Sequence, residues 1–439
     1  MYERFIFENY IFSPEEKKLT LNYSLDEKVN FSETIVFDFE FTDYNPNALD
    51  KALFGVFVMC GISYFKAYLP QKIEFKNSGL TDSQKLFFGK IYTYGLGEFF
   101  YRNRIDPNGK INFEFDKKTE SKPISLPNLS GSLVPIGGGK DSITTAEILK
   151  KNNEDFETWT VGDYPFFAPM LEKIGKQHLK VRRTIDPQLF KLNNDGALNG
   201  HIPISAILAF LGVASAILRG KKNVILSNEN SANEPTLEFN GVSVNHQYSK
   251  SLEFESDFQG YVHTQISSDV NYFSFLRPLS ELKIAELFCN ICLEKYAHSF
   301  SSCNTNFKIR NWDFETQNWK STGKDICWCK KCPKCAFVFI LFSPFIKRDK
   351  LIEIFRGNLF ADESLYPTFA ELLGQTESKP FECVGEIEEV KRALQLAKET
   401  GHWPELEKFP TEKSDYNEHE WHTNLMPQYF EYMLKDFRS

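Results

Sequence analysis

Positive charge is in short supply in this chain: 51 lysines and arginines face 59 aspartates and glutamates, a formal net charge of −8. Without a general basic field it is a poor binder of polynucleotides and of anionic membrane surfaces, so nucleic acid is not an expected partner. The opening stretch MYERFIFENYIFSPEEKK lacks a basic n-region, a clean apolar core and a small-residue cleavage site, so no secretory signal is expected. Long apolar runs are also missing. The longest, Ile202 to Leu218, is broken by Pro203, Ser205, Gly212 and Ser215 and followed by the polar RGKKN. It is short for a bilayer span and reads as a helix buried beneath a sheet. Membrane insertion is therefore not expected, and a cytoplasmic location is. Nine cysteines in 439 residues exclude a disulfide-dense secreted scaffold, and 42 Phe with 18 Tyr exclude a disordered chain.

What is present divides into three parts. Residues 1–125 read as a β-rich N-terminal domain. Leu19, Leu21, Tyr23 and Leu25 alternate with polar neighbours, as do Ile35, Phe37, Phe39 and Phe41, and again Ile111, Phe113 and Phe115. Such alternation sets one face of a strand on a core and the other in water. A helix is predicted from Asp82, its N-cap, to about Tyr101. The segment ESKPISLPNLSG, 120–131, has the prolines and serines of a linker. From Ser132 strands and helices alternate: strands at 132–136, 156–162, 180–185 and 223–228, helices from Asp141, over 171–179 and over 203–218. The βαβα order predicts an α/β fold with a mostly parallel sheet and helices on both faces. Residues 126–345 would form this nucleotide-binding domain, and 346–439 a mainly helical C-terminal region in which Ile387, Val390, Leu394 and Ala397 keep helical spacing up to Gly401.

The stretch LVPIGGGKDSITTAEILKK, residues 133–151, carries the first chemical signal. Gly137, Gly138 and Gly139 let the backbone approach a ligand without Cβ obstruction. The helix that follows aims unpaired N–H groups and its positive dipole end at the same space. Lys140 adds a charge, Ser142 a hydroxyl, and Asp141 a carboxylate that can hold Mg²⁺ or cap the helix. The spacing is neither that of a P-loop nor that of the dinucleotide fingerprint. It resembles the PP-loop, S-G-G-x-D-S, of ATP pyrophosphatases, with Gly137 in place of the first serine. That resemblance implies cleavage of ATP between the α and β phosphates, with adenylation of a carbonyl or carboxyl oxygen. It also implies adenine and ribose contacts from later strand ends, here Asp163 in TVGD, and Asn228 and Glu229 in LSNE.

Four cysteines crowd into Cys327–Cys335. Cys329, Cys332 and Cys335 form two overlapping Cys-x-x-Cys units, a spacing that lets thiolates converge on one tetrahedral cation, and Lys330, Lys331 and Lys334 favour the thiolate form. Cys303 is the expected fourth ligand, with Cys327 its competitor. The pattern is similar to the zinc site of 7-cyano-7-deazaguanine synthases, which implies a structural Zn²⁺; an iron–sulfur cluster is the alternative. Cys289 and Cys292 fall inside a helical stretch and read as buried small side chains.

The order of the segments GGGKDS, NGHIP (199–203), SNENSANE (227–234), NHQYS (245–249), SFLRPLSELKIA (274–285), WCKKCPKCAF (328–337) and KPFECVGE (379–386) is more specific. It resembles bacterial UDP-N-acetylmuramoyl-L-alanyl-L-glutamate epimerases of the MurL type. The resemblance implies an ATP- and Mg²⁺-dependent isomerase of peptidoglycan precursor synthesis, acting on the small molecule UDP-MurNAc-L-Ala-L-Glu. Candidates for the proton transfer are His246, Lys250 and Cys383, because such groups can be tuned near neutral pH. His201 would shape a turn or touch the ligand. Arg277 and Arg182 would bind substrate carboxylate or diphosphate, or form surface ion pairs. The competing readings are a PP-loop ligase that adenylates another acid and a zinc-stabilised nucleotide-binding regulator. Oligomeric state is not legible.

Overall fold

The computed structural model describes residues 2–77, 79–114, 122–307, 311–313, 318–320, 326–376, 379–409 and 413–437. Its frame is one nine-stranded sheet built from β1 (Arg4–Ser13), β2 (Lys18–Leu25), β3 (Val29–Asp38), β4 (Lys72–Phe75), β5 (Ser132–Pro135), β6 (Phe156–Val161), β7 (His178–Thr184), β8 (Asn223–Leu226) and β11 (Asn271–Ser274). A separate hairpin, β9 (Leu237–Phe239) with β10 (Val242–Val244), stands outside it. The sheet order is β11-β8-β5-β6-β7-β3-β2-β1-β4. The first five strands are all mutually parallel. The chain leaves β5 toward β6 and β7, then returns to lay β8 on the opposite side of β5. Strand order therefore reverses at β5, and the crevice at the carboxyl ends of β5 and β8 is where an open α/β sheet takes its ligand.

The β-rich N-terminus continues this sheet. β3 pairs antiparallel with β7, setting Phe37 opposite Val181, and the meander β1–β2–β3 follows. The alternation in β2 does what its pattern demands: Leu19, Leu21, Tyr23 and Leu25 are all buried. Ile35 and Phe37 lie in β3, whereas Phe39 and Phe41 lie past its end. Residues 111–114 form no strand beyond a bridge from Phe113 to Ile73; Phe115, and Glu120 and Ser121 of the 120–131 segment, lie outside the described residues. That segment is tied down where it is described, since Ile124 N donates to Ile266 O at 2.8 Å and Leu126 N to Asp269 Oδ2 at 2.6 Å.

Three helices depart from expectation. Helix Pro46–Phe65 was not legible at all, because fifteen of its residues are buried and its apolar side chains run all the way round; neither a 3.6 nor a 2 period emerges from such a stretch. By length and composition it could cross a membrane, but 83% of its most apolar window is buried within the fold. It packs so closely on helix Ile204–Arg219 that a Cβ on Gly55 would stand 2.1 Å from the Phe210 ring. The expected helix from Asp82 is capped instead by Thr81, whose hydroxyl accepts from Gln84 N while Gln84 returns a bond to Thr81 N. This is a capping box, and it places the cap one residue earlier. The helix also breaks at Leu96 into Asp82–Gly95 and Gly97–Arg102. Finally, the helix expected over 171–179 is Ala168–Ile174; Gly175, at φ 67°, ends it, and His178 opens β7.

Two apolar layers cover the sheet. Helices Pro46–Phe65, Asp82–Gly95, Ile204–Arg219 and Leu252–Tyr261 contribute to one core. Helices Lys140–Lys151, Glu281–Ile291, Pro333–Phe342 and Ile387–Glu399 contribute to the other. The second layer brings the C-terminal region over the crevice.

Candidate active site

The glycine loop joins β5 to helix Lys140–Lys151. Gly138 has φ +80°, a conformation L side chains rarely adopt, and a Cβ there would meet the Phe167 ring at 2.4 Å. Both facts demand glycine. Ser142 Oγ accepts from Gly137 N at 3.3 Å, and Ser301 N donates to Gly138 O at 2.9 Å, so the loop is braced from within and from the 301–303 segment.

Lys140 does not reach freely into the crevice. Its side chain is buried and its ammonium pairs with Asp141 and with Glu281 of the neighbouring helix. Burial would lower its pKa, but the two carboxylates outweigh that and raise it. Glu281 is pushed up to about 7, chiefly by burial, with Asp141 and Glu229 adding to the shift and Lys140 opposing it. Behind it Glu389, fully buried, accepts from Leu282 N at 2.8 Å and is pushed up to about 8 by burial and by Glu281.

A second group converges from three distant segments. Lys250 Nζ lies 3.1 Å from Cys383 Sγ. His246 acts on the charge of Cys383 as well, and its Nδ1 lies 2.5 Å from Glu98 Oε2. Burial alone would raise the Cys383 thiol; Lys250, His246 and Lys334 outweigh it and bring the pKa down to about 5. Burial would lower His246, yet Cys383 and Glu98 raise it to about 9. The pair therefore rests as thiolate and imidazolium at neutral pH. The His201 ring lies tilted beside His246 with ring centroids 4.7 Å apart, and burial together with that neighbour lowers it to about 4.

The two groups are linked. Lys334 donates to the Cys383 carbonyl and stands 3.9 Å from Glu281 Oε1, while Glu281 pairs with Lys140 at the head of the loop helix. Asp141 and Glu229 both act on Lys250 electrostatically. Loop head and thiolate are thus joined through Glu281 and Lys334.

Between them the architecture hangs on Arg277. Its side chain has 0% exposure and pairs with buried Glu255 at 2.8 Å. It also donates to the carbonyls of Glu229 and Lys250, both at 2.5 Å. Arg277 therefore ties two crevice loops together from beneath and is neither a substrate ligand nor a surface ion pair, a correction to the sequence expectation. Arg182 is on the surface, 3.7 Å from Asp38. Asp163 is exposed and paired with Lys180 at 3.2 Å, while Asn228 donates to Ser274 Oγ at 3.0 Å and Glu229 is buried.

The sulfurs of Cys303, Cys329, Cys332 and Cys335 lie within 4.8 Å of one another. Individual separations are 3.9 Å for Cys303–Cys332, 3.7 Å for Cys329–Cys335 and 3.5 Å for Cys332–Cys335. Four sulfurs about 2.3 Å from a central ion stand about 3.8 Å apart in a regular tetrahedron, so the donor set and its spacing fit a closed zinc site. Cys327 is exposed and outside this group. Cys292 is buried and Cys289 half-buried, with burial raising both thiols, the former to about 12.

Comparison with known proteins gives this geometry its context. The profile of the MurL N-terminal domain matches residues 1–275, and that of the MurL C-terminal domain matches residues 299–425. The chain belongs to the MurL family. A relative from Xanthomonas oryzae pv. oryzae, named UDP-N-acetyl-alpha-D-muramoyl-L-alanyl-L-glutamate epimerase, is 35% identical over 88% of this chain and 84% of its own. Relatives of the same name from a Micromonospora strain and from Salinispora tropica are each 35% identical over 91% of this chain, covering 88% and 86% of theirs. As a MurL-family member the protein is an enzyme of the isomerase class, an epimerase. The N-terminal profile runs without a break through β1–β8 and β11, as the sheet does.

Sequence reasoning missed Glu98, Glu281 and Glu389 in this candidate site, and named Lys334 only for the cysteine cluster. The first carried a signal: GLGEFF sets one carboxylate among apolar residues, which is costly unless the charge is paired. The others sit at helix starts or on a lysine-rich run, where a charged residue needs no special explanation.

Proposed function

We propose that the protein converts the terminal L-glutamate of UDP-MurNAc-L-Ala-L-Glu to D-glutamate, using ATP at the glycine loop to adenylate the α-carboxylate. The observation that carries this proposal is the link between the two groups: Lys140 at the head of the loop helix shares Glu281 with Lys334, which donates to the carbonyl of Cys383, and the Cys383 sulfur lies 3.1 Å from Lys250. The α-proton of a free glutamate carboxylate is barely acidic, because its removal makes a dianion. Adenylation neutralises the carboxylate, releases pyrophosphate and provides an electron sink on the acyl carbon. Cys383, ionised at neutral pH, then takes the α-proton, and the Lys250 ammonium 3.1 Å from the sulfur balances the negative charge that passes between base and substrate. A solvent proton delivered to the opposite face, return of the Cys383 proton to water and attack of water on the acyl adenylate yield the D-glutamyl product and AMP.

Gly137, Gly138, Gly139 and Ser142 would receive the phosphates, and Asp163, Asn228 and Glu229 the nucleoside. Lys140 would contribute its charge from beneath, through Asp141. Asp141 would hold a Mg²⁺ ion, which screens phosphate charge when bound. Cys303, Cys329, Cys332 and Cys335 would hold a structural Zn²⁺ that fixes the start of helix Pro333–Phe342, and with it Lys334, against the carbonyl of Cys383. The substrate is a soluble nucleotide-sugar peptide, consistent with a cytoplasmic setting.

Incubation with Mg-ATP and UDP-MurNAc-L-Ala-L-Glu in deuterated water tests the proposal. AMP, α-deuterium and D-glutamate should appear together. AMP without deuterium would replace it with a ligase-type adenylation, and no AMP would leave the loop without this role.

A further inference from the structure

Nothing in the proposed reaction calls on Glu98, yet this buried carboxylate pairs with His246, and its helix packs on the Cys383 segment through Tyr101 and Arg102 against Phe381. Helix Gly97–Arg102 delivers it to the site 148 residues ahead of its partner His246. Glu98 Oε2 lies 2.5 Å from His246 Nδ1 and 3.5 Å from His201 Nδ1, and Arg102 Nε lies 2.5 Å from Oε1. His246 in turn favours the charge on Cys383, whose sulfur is 3.1 Å from Lys250 Nζ.

We propose that Glu98 is the positioning residue of a Glu98–His246–Cys383 triad, holding the imidazole oriented and protonated so that the thiolate persists. This rests on the role given to Cys383 in the proposed epimerisation. A carboxylate on one ring nitrogen fixes which nitrogen faces the sulfur and stabilises the imidazolium. Glu98 meets His246, His201 and Arg102, and Cys383 meets Lys250, His246 and Lys334. His201 cannot replace His246 as the cation, because burial, His246, Lys250 and Arg102 all lower its pKa and only Glu98 opposes them.

The same Glu98, His201 and His246 donor atoms lie close enough together to resemble a metal group. The 2.5 Å separation of His246 Nδ1 from Glu98 Oε2 argues against it. Donors around an ion with bonds of about 2.0–2.2 Å stand about 3 Å apart or more, whereas this nitrogen and oxygen touch each other directly. The triad also gives the N-terminal segment a part in the chemistry, because its Glu98 stands directly behind the base.

The test reads the pH midpoint of Cys383 alkylation by iodoacetamide, followed by peptide mass spectrometry in the full-length, metal-replete protein. It compares wild type, Glu98→Gln, His246→Gln and the double variant. Glu98→Gln keeps the shape but removes the charge, and the midpoint should move up by about one pH unit or more. In the His246→Gln background the same substitution should change it by less than about 0.3 units, since effects routed through one residue do not add. Glu98→Asp should restore at least half of the shift and serves as the folded comparison if Glu98→Gln is poorly folded. An unchanged midpoint in Glu98→Gln, a full second shift in the double variant, or no recovery in a folded Glu98→Asp would overturn the triad. Because alkylation needs neither ATP nor substrate, the triad can fail while epimerisation stands, and the reverse.

Discussion

Replacing Arg277 separates a structural tie from a substrate ligand. Its guanidinium is fully buried, bonds Glu255 at 2.8 Å and reaches the carbonyls of Glu229 and Lys250, both at 2.5 Å. Arg277→Ala leaves Glu255 buried with Ser274 N as its remaining partner, at 2.9 Å. Removing one member of a buried pair costs about 3–5 kcal/mol, because the other charge stays without compensation. Two lost charge-assisted bonds to carbonyls would each be worth about 1.5–3 kcal/mol alone, but they share one side chain and cannot simply be added. A destabilisation of about 3–5 kcal/mol is therefore expected, read by urea unfolding followed through tryptophan fluorescence. Arg277→Met combined with Glu255→Leu removes both charges and should recover about 1–4 kcal/mol of that loss. Turnover should stay low in the double variant, because the loops carrying Glu229 and Lys250 have lost their common anchor. An Arg277→Ala protein of unchanged stability with a raised substrate KM would refute this reasoning and return Arg277 to substrate binding.

Three further outcomes follow from the site. Cys303→Ala should lose most of about one equivalent of bound metal, measured by plasma mass spectrometry, whereas Cys327→Ala should keep it; the reverse would reassign the fourth ligand. The kcat/KM profile should rise as Cys383 ionises near pH 5, stay level, and fall as His246 deprotonates near pH 9. Lys250→Met should move the acid limb upward, since Lys250 is the chief attraction opposing burial at that thiol. Gly138→Ala combines φ +80° with a Cβ 2.4 Å from Phe167. The displaced loop should cut AMP formation by on the order of 100-fold, and normal AMP release would show that its tight turn is dispensable.

The parts of the molecule visible in the sequence are those where one local rule operates. Leu19, Leu21, Tyr23 and Leu25 alternate because β2 has one buried face, and strand–glycine–helix at 132–151 follows from turn chemistry alone. Helix Pro46–Phe65 is hidden for the opposite reason: burial on every side erases its period. At the site, the glycines, the Cys-x-x-Cys units and Cys383 stand out by residue type and spacing. The roles of Glu98 and Arg277 do not, since both depend on which distant segments the fold brings together. Glu98 meets a histidine 148 positions away, and Arg277, in a turn, is held inward by Glu255 of helix Leu252–Tyr261.

The central claim is that activation occurs at the glycine loop and proton removal at Cys383. It is tested most directly by assaying Cys383→Ala with Mg-ATP and UDP-MurNAc-L-Ala-L-Glu in deuterated water, measuring pyrophosphate release and α-deuterium together. Pyrophosphate should still form while deuterium incorporation falls to background. Deuterium entering the variant's product at the wild-type rate would contradict the claim.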